Sequence, residues 1–351
     1  MSELRKDPIV GRWVIVAPNR AERPQDIVSQ PVLQTGLPCP FCEGNEEQTP
    51  PEVAACREAG SQRDGPGWRV RVVPNKFPAL RPEAVLETRV DGLYETMAGV
   101  GRHEVIVESP RHLASVSELS AEQLGEVLEV YRDRLVEARQ DRRLVYGLIF
   151  KNFGAAAGAS LAHLHSQLIA TPTVPLHVRE ELAGALEFLR REGKCVFCRI
   201  VEQELADRSR LVLESPRFVA FAPFASRFPY ETWVTPKRHA TRYEQTAAED
   251  YRELAHVLRE TLCRIERAVP RIAYNYFIHT SPFDTGPFDS GEPAHYHWHI
   301  EIIPRLTNVA GFEWGAGYFI NPLPPEEAAA ILREAEERSP ETPKNPTAGS
   351  G

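Results

Sequence analysis

The sequence predicts an α+β protein built from two similar halves, each a mostly antiparallel sheet with one main helix. Three observations carry this: an internal repeat, short β-branched or aromatic segments bounded by Gly or Pro, and one long helical segment per half. The first copy runs from Cys39-Pro-Phe-Cys42 through HEVIVESPRH, ending at His112, then a helix, YGLIFKNFG and HLHSQLIATP. The second runs from Cys195-Val-Phe-Cys198 through ETWVTPKRH, ending at His239, then a helix, YNYFIHTSP and HWHIEIIPR. Five features recurring in one order define the repeat.

The segments EVIVES, VYGLIF, TWVTP, AYNYFI and HIEIIP read as strands. Ser120-Ala-Glu-Gln123 and Thr246-Ala-Ala-Glu249 are capping-box patterns, each predicting a helix; Leu124, Val127, Tyr131 and Leu135 then follow the first at helical spacing. Residues 173–192 join the halves, and EELAGALEFLRRE within them reads as a helix. The expected division is an N-terminal unit over 1–175 carrying the working site and a C-terminal unit over 193–335. The Pro-, Ser- and Gly-rich tail at 338–351 is expected to be disordered.

The chain has 351 residues, 42% apolar and 26% charged, the balance of an ordinary globular protein. A net charge of −8 argues against nucleic acid or an anionic membrane as the main partner, so any phosphate site must be local. No apolar run approaches the roughly 20 residues of a membrane span, and MSELRKDPIVGRW lacks the apolar core of a signal peptide. The expected location is the cytoplasm.

In such a compartment Cys-x-x-Cys pairs are metal ligands or redox motifs more often than disulfides. A structural zinc takes four ligands in a tetrahedron, and the repeat offers two histidines to each pair. One expected set is Cys39, Cys42, His112 and His163; the other is Cys195, Cys198, His239 and His297. Two structural zinc ions per chain are therefore expected. A thioredoxin-like redox reading is weaker, because neither pair is expected to open a helix within a βαβ unit. Cys56 and Cys263 have no counterparts and read as plain apolar residues.

On a strand His163 and His165 share a face with Gln167, while Leu164 points the other way. If His163 is held by zinc, His165 stands beside a fixed metal site. A neutral imidazole, with a pKa of about 6.5, is a competent nucleophile toward activated phosphorus. Gln167 can donate to phosphate oxygens, and GAAAGAS offers close backbone approach together with the Ser160 hydroxyl. The competing reading is a buried, hydrogen-bonded histidine pair. The surrounding set of residues favours the chemical one.

DPIVGRWVIVAPNRAERP, VVPNKFPAL and NFGAAAGASLAHLHSQ together resemble the motifs of the galactose-1-phosphate uridylyltransferase branch of the histidine-triad superfamily, which includes ADP-glucose phosphorylase. The resemblance covers nearly the whole chain. It implies two tandem histidine-triad-like half-barrel units and a homodimer whose partner chain completes the sugar site. By the same resemblance His165 is the nucleophile, Gln167 and Ser160 hold the phosphates, and Asn152 lies close to them. Arg20, Arg23, Asn75 and Phe77 match nucleotide-binding positions.

Leu164 stands where the family usually has proline, and Ser166 where many uridylyltransferases have glycine, a variation the phosphorylase-like members share. In the second half Glu301 stands for Gln167, and a carboxylate there would repel phosphate, so this half reads as structural. A competing register groups His295, His297 and His299 as a hydrolase-like triad. Residues 311–332 occupy the hexose-phosphate segment and look like the phosphorylase-type G-x-G-x-x-I-N-P version, in which Gly315 and Gly317 either approach phosphate or form a turn. The favoured activity is ping-pong transfer of UMP between UDP-glucose and galactose 1-phosphate. ADP-glucose phosphorolysis and a silent zinc-stabilised nucleotide-binding module are the alternatives.

Overall fold

The computed structural model describes residues 2–22, 38–283 and 295–335. Arg23 and the tail at 338–351 lie outside the described residues. The chain opens with a hairpin, β1 (Glu3–Lys6) and β2 (Trp13–Val16), then continues to β3 (Ala54–Arg57) and β4 (Trp68–Pro74). An exposed hairpin follows, β5 (Thr88–Asp91) and β6 (Tyr94–Met97), before β7 (Arg102–Val107), α1 (Ala121–Arg139), β8 (Tyr146–Phe153) and β9 (His165–Thr171). The helices α2 (Leu176–Glu192) and α3 (Val196–Asp207) lead into β10 (Leu211–Glu214), β11 (Phe218–Phe221) and β12 (Thr232–Pro236). The chain ends with α4 (Asp250–Ala268), β13 (Tyr274–His279), β14 (His299–Pro304), α5 (Gly311–Ala316), β15 (Phe319–Asn321) and α6 (Pro325–Glu334).

Ten strands form one sheet in the order β10-β11-β12-β14-β13-β8-β9-β7-β4-β3. Every neighbouring pair is antiparallel. Matching β3, β4, β7, β9 and β8 with β10, β11, β12, β14 and β13 makes the order read alike from both ends, so the sequence repeat becomes a pseudo-twofold within a single sheet. The seam is the β13–β8 pair, where Phe277 faces Phe150 and Asn275 faces Asn152.

Alternation along the strands sorts the two faces. On β9 and the residue before it, Leu164, Leu168 and Ala170 enter the main core, while His165 and Gln167 take the opposite face. The core is completed by α1 and α4, which lie against each other and supply Leu128, Tyr131 and Leu135 alongside Leu254, Leu258 and Leu262. Each such side chain contributes roughly 1.5–3 kcal/mol by leaving water. Both halves therefore share one core as well as one sheet, and the α+β expectation holds.

The two capping boxes have different outcomes. Ser120 caps α1 as expected, its hydroxyl accepting from Gln123 N at 3.2 Å while Gln123 Oε1 accepts from Ser120 N at 3.0 Å. Thr246 caps nothing, because its amide closes a turn onto Tyr243 O at 3.0 Å and α4 begins only at Asp250. Cys195 is the residue before α3, so the second cysteine pair opens a helix. That helix leads into the antiparallel hairpin β10–β11 and not into a βαβ crossover. A small sheet, β1-β2-β15, joins the two ends of the chain, with β15 parallel to β2. Among the described residues no helix is long and apolar enough to cross a membrane.

Candidate active site

β8 ends against a loop in which Gly154 and Gly158 adopt φ of +81° and +87°, a region open to glycine at little cost. This loop delivers the chain to β9, whose first residue is His165. His165 Nδ1 lies 2.7 Å from the carbonyl of His163. A carbonyl only accepts, so Nδ1 carries the proton and Nε2 keeps its lone pair. Burial pushes the His165 imidazole down in pKa against that hydrogen bond, with Lys151 adding to the push, so the ring is neutral at neutral pH. His163 has the opposite tautomer: its Nε2 donates to the Ser109 carbonyl at 2.7 Å, leaving Nδ1 bare toward the cysteines. Two histidines on one face are thus prepared for different partners.

Behind His165 is a buried ion pair. Lys151 Nζ donates to Glu108 Oε2 at 2.6 Å and to the His165 carbonyl at 3.1 Å. Burial lowers the Lys151 pKa, and Glu108 opposes this. Glu108 also accepts from Tyr131 at 2.9 Å.

In front of His165 lies a cleft of about 810 Å³, lined in part by Ser160, Gln167, Asn75 and Phe77. Phe77 is 85% exposed at its mouth, leaving a ring face free for a planar group. Gln167 Oε1 lies 2.8 Å from His103 Nε2 and 3.4 Å from Asn75 Nδ2. Asn152 is not among the lining residues; it accepts from Asn275 at 2.8 Å across the seam, and Asn275 also holds the Ala157 carbonyl of the glycine loop at 2.9 Å. Arg20 is exposed in the turn Pro18–Glu22, and Gly315 and Gly317 belong to α5 and its left-handed cap. These three do not line the cleft either.

Sequence reasoning singled out neither His103 nor the Lys151–Glu108 pair. The one available signal was the alternation on β7: Val105 faces Gln167 across the sheet, and His103 is two residues before it, on the same face.

Both expected Cys/His sets assemble, with the ligand atoms of each within 4.8 Å of one another. In the first, Cys39 Sγ lies 3.6 Å from His163 Nδ1, and Cys42 Sγ lies 3.5 Å and 3.6 Å from His112 Nδ1 and His163 Nδ1. Zinc bonds of about 2.3 Å to sulfur and about 2.0–2.1 Å to nitrogen place tetrahedral ligands about 3.5–3.6 Å apart, so the donor set fits. In the second, Cys198 Sγ lies 3.2 Å from His239 Nδ1 and 3.5 Å from His297 Nδ1. His297 is thereby drawn into the cysteine cluster, which leaves the hydrolase-like register without its middle member. Each cluster could hold a metal ion.

The second half differs where the chemistry would be. His299 sits where His165 does in the repeat, with Nδ1 3.1 Å from the His297 carbonyl, but it is fully buried and Trp233 stacks on it at 4.6 Å. Burial lowers its pKa to about 3. Glu301, in the place of Gln167, is ion-paired with Arg227. Glu181, His279 and His299 form a third cluster of possible metal donors.

A family model described as the galactose-1-phosphate uridyl transferase N-terminal domain matches residues 1–175, and one described as a domain of unknown function (DUF4921) matches residues 99–339. Over 339 residues the chain is 37% identical to ADP-glucose phosphorylase of Arabidopsis thaliana, covering 95% of this chain and 92% of that one. The chain belongs to the galactose-1-phosphate uridylyltransferase family. To this family's uridylyltransferase of Thermotoga maritima it is 29% identical over 344 residues, covering 96% and 99% of the two chains. The fold agrees with the crystal structure of the Arabidopsis ADP-glucose phosphorylase with bound ADP-glucose, at a TM-score of 0.81 and 34% identity over 95% of this chain and 99% of that one. The family's members in these comparisons are nucleotidyltransferases and phosphorylases, which makes this chain an enzyme of nucleotidyl transfer.

Proposed function

We propose that the chain is a ping-pong nucleotidyltransferase in which His165 carries the nucleotidyl group. The observation that carries this reading is the His165 tautomer: Nδ1 is committed to the His163 carbonyl, and the ring, bearing its lone pair on Nε2, lines the cleft. Nε2 attacks the α-phosphorus of a nucleotide sugar. A nitrogen–phosphorus bond forms as the bond to the bridging oxygen breaks, and the electron pair leaves with a sugar 1-phosphate. An oxygen of the acceptor phosphate then attacks the same phosphorus, the nitrogen–phosphorus bond breaks, and the imidazole regains its lone pair. While the adduct exists the ring is cationic, and the Nδ1–H bond to a carbonyl dipole stabilises that charge.

Gln167 and Ser160 hold the phosphate oxygens, and Asn75 and Phe77 hold the nucleotide; Arg20, outside the cleft lining, and Arg23 are assigned to the nucleotide by the family resemblance alone. Asn152 acts through Asn275, whose amino group it accepts from and which braces the glycine loop. Two structural zinc ions, one held by Cys39, Cys42, His112 and His163 and one by Cys195, Cys198, His239 and His297, would tie the starts of β9 and β14 to the cysteine turns. Gly315 and Gly317 would meet the sugar phosphate of a second copy in a homodimer. Phe312 and Trp314 in the same helix are 50% and 79% exposed, which supports a protein contact there.

ADP-glucose is the favoured donor, with inorganic phosphate as acceptor. Support comes from the 37% identity to the Arabidopsis phosphorylase, from Ser166 after the nucleophile, and from the G-x-G-x-x-I-N-P segment. Asn321 in that segment is buried and bonds the Ser226 and Phe228 carbonyls at 3.0 and 3.2 Å, which anchors β15. UDP-glucose with galactose 1-phosphate is the second reading, favoured by the uridyl transferase match over 1–175. Initial rates with the two substrate pairs separate them. ADP-glucose with phosphate is expected to give ADP and glucose 1-phosphate at least tenfold faster than the uridylyl pair reacts. The reverse order selects the second reading, and no turnover with either pair, the outcome of a silent binding module, overturns the proposal.

A further inference from the structure

Gln167 serves a phosphate only one way round: its amino group must face the cleft and its oxygen must face away. Two hydrogen-bond chains decide this, and each begins at a backbone N–H, which cannot be reversed. In the first, Ala79 N–H donates to His103 Nδ1 at 3.1 Å. Nδ1 is then an acceptor, so the neutral ring carries its proton on Nε2. From there it donates to Gln167 Oε1 at 2.8 Å. In the second, Phe77 N–H donates to Asn75 Oδ1 at 2.8 Å, which turns the Asn75 amino group toward Gln167 Oε1, 3.4 Å away. That amino group also lies 3.1 Å from His103 Nε2, but two donors cannot bond, so its hydrogen belongs to the Gln167 oxygen. Both chains end on one atom. The oxygen of Gln167 is occupied twice, and among the described residues its amino group is the free end.

We infer that His103 is a positioning residue for the transfer: its Nε2–H turns the Gln167 amide so that the amino group meets the phosphate beside His165. This rests on the reading of His165 given above. The second half supplies the contrast. Glu301 faces Trp233 across the sheet as Gln167 faces Val105, so Glu231 takes the position of His103. There Arg227 bridges the two carboxylates, a pairing suited to holding the sheet together and not to presenting a donor. Where the phosphate donor is missing, its orienting histidine is missing too.

The tautomer is tested first, in the substrate-free protein, by nitrogen NMR of the imidazoles. The expected spectrum has a protonated Nε2 and a bare Nδ1 for His103; the reverse tautomer overturns the inference. Rapid mixing with ADP-glucose and UDP-glucose then measures formation of the His165 adduct. His103→Leu is expected to slow this step by roughly 10–100-fold, less than the roughly 100–1,000-fold of deleting a transition-state donor because Gln167 is still present, with a smaller change in substrate affinity. His103→Gln, which keeps an N–H donor at that reach, recovers most of the rate. In a Gln167→Ala background His103→Leu should change the rate by less than about twofold, because a residue acting through Gln167 has nothing left to orient. An undiminished rate in His103→Leu, or an equal loss in the Gln167→Ala background, overturns the inference. If His103→Leu fails to fold, His103→Gln and the tautomer still decide. If the unaltered chain forms no adduct, the reading of His165 fails separately, and the tautomer still answers for His103.

Discussion

Lys151→Met tests whether the site rests on a buried charge pair. The Lys151 side chain is 1% exposed and that of Glu108 0%, with 2.6 Å between Nζ and Oε2. At an effective dielectric constant of about 20 their attraction is about 6 kcal/mol. Desolvation of several kcal/mol per ion offsets most of it, so the intact pair contributes little net stability. Removing one partner is different, because among the described residues the carboxylate of Glu108 would keep only Tyr131 as a donor and the His165 carbonyl would lose Lys151. The single substitution is expected to cost about 3–5 kcal/mol, while Lys151→Met combined with Glu108→Gln should cost clearly less. Urea unfolding, compared at unchanged slope, measures both. A single-variant loss below about 1 kcal/mol, or a double variant less stable than the single, would refute the reasoning.

Three further outcomes follow from other parts of the fold. A Cβ on Gly184 in α2 would lie 1.8 Å from the Ile9 carbonyl, backbone against backbone, so Gly184→Ala should destabilise by about 1–3 kcal/mol; a raised thermal midpoint would contradict that packing. Burial would raise the Glu326 pKa, but hydrogen bonds from Arg5 and Arg210 outweigh it and hold the carboxylate below its usual range. Its contribution is therefore present above the unfolded pKa of about 4.3 and is lost as pH falls through the folded value. Glu326→Gln should cost roughly 1–2 kcal/mol at pH 7 with the difference shrinking in acid, and a difference constant down to pH 3 counts against the linkage. Metal analysis of freshly purified protein should find close to two zinc ions per chain, one for each cysteine cluster, and Cys195→Ala should remove about one; an unchanged content in that variant would place the metal elsewhere.

The strands that carry the site were legible because their β-branched and aromatic runs end at Gly or Pro, and because the repeat marks them twice. Their fusion into one sheet was not, since the seam depends on Phe277 against Phe150 and Asn275 against Asn152, pairs remote in sequence with no local signature. The same holds for β15 beside β2, which joins opposite ends of the chain. Thr246 shows how a correct local pattern fails: its amide is already taken by Tyr243, so the helix starts later than the motif says. All eight metal-type ligands could be read from spacing and repetition. For His103 the alternation on β7 gives the face but not the role, because its tautomer is set by Ala79, a loop residue with nothing in its type to announce it.

The most direct test of the central claim is the intact mass of the chain after brief mixing with a stoichiometric nucleotide sugar and no acceptor. The account predicts a gain equal to one nucleotidyl group, a nucleoside monophosphate less one water, adenylyl from ADP-glucose or uridylyl from UDP-glucose, mapping to the peptide that contains His165 and absent from His165→Ala. An adduct that persists in His165→Ala, or none with either nucleotide sugar, would contradict it.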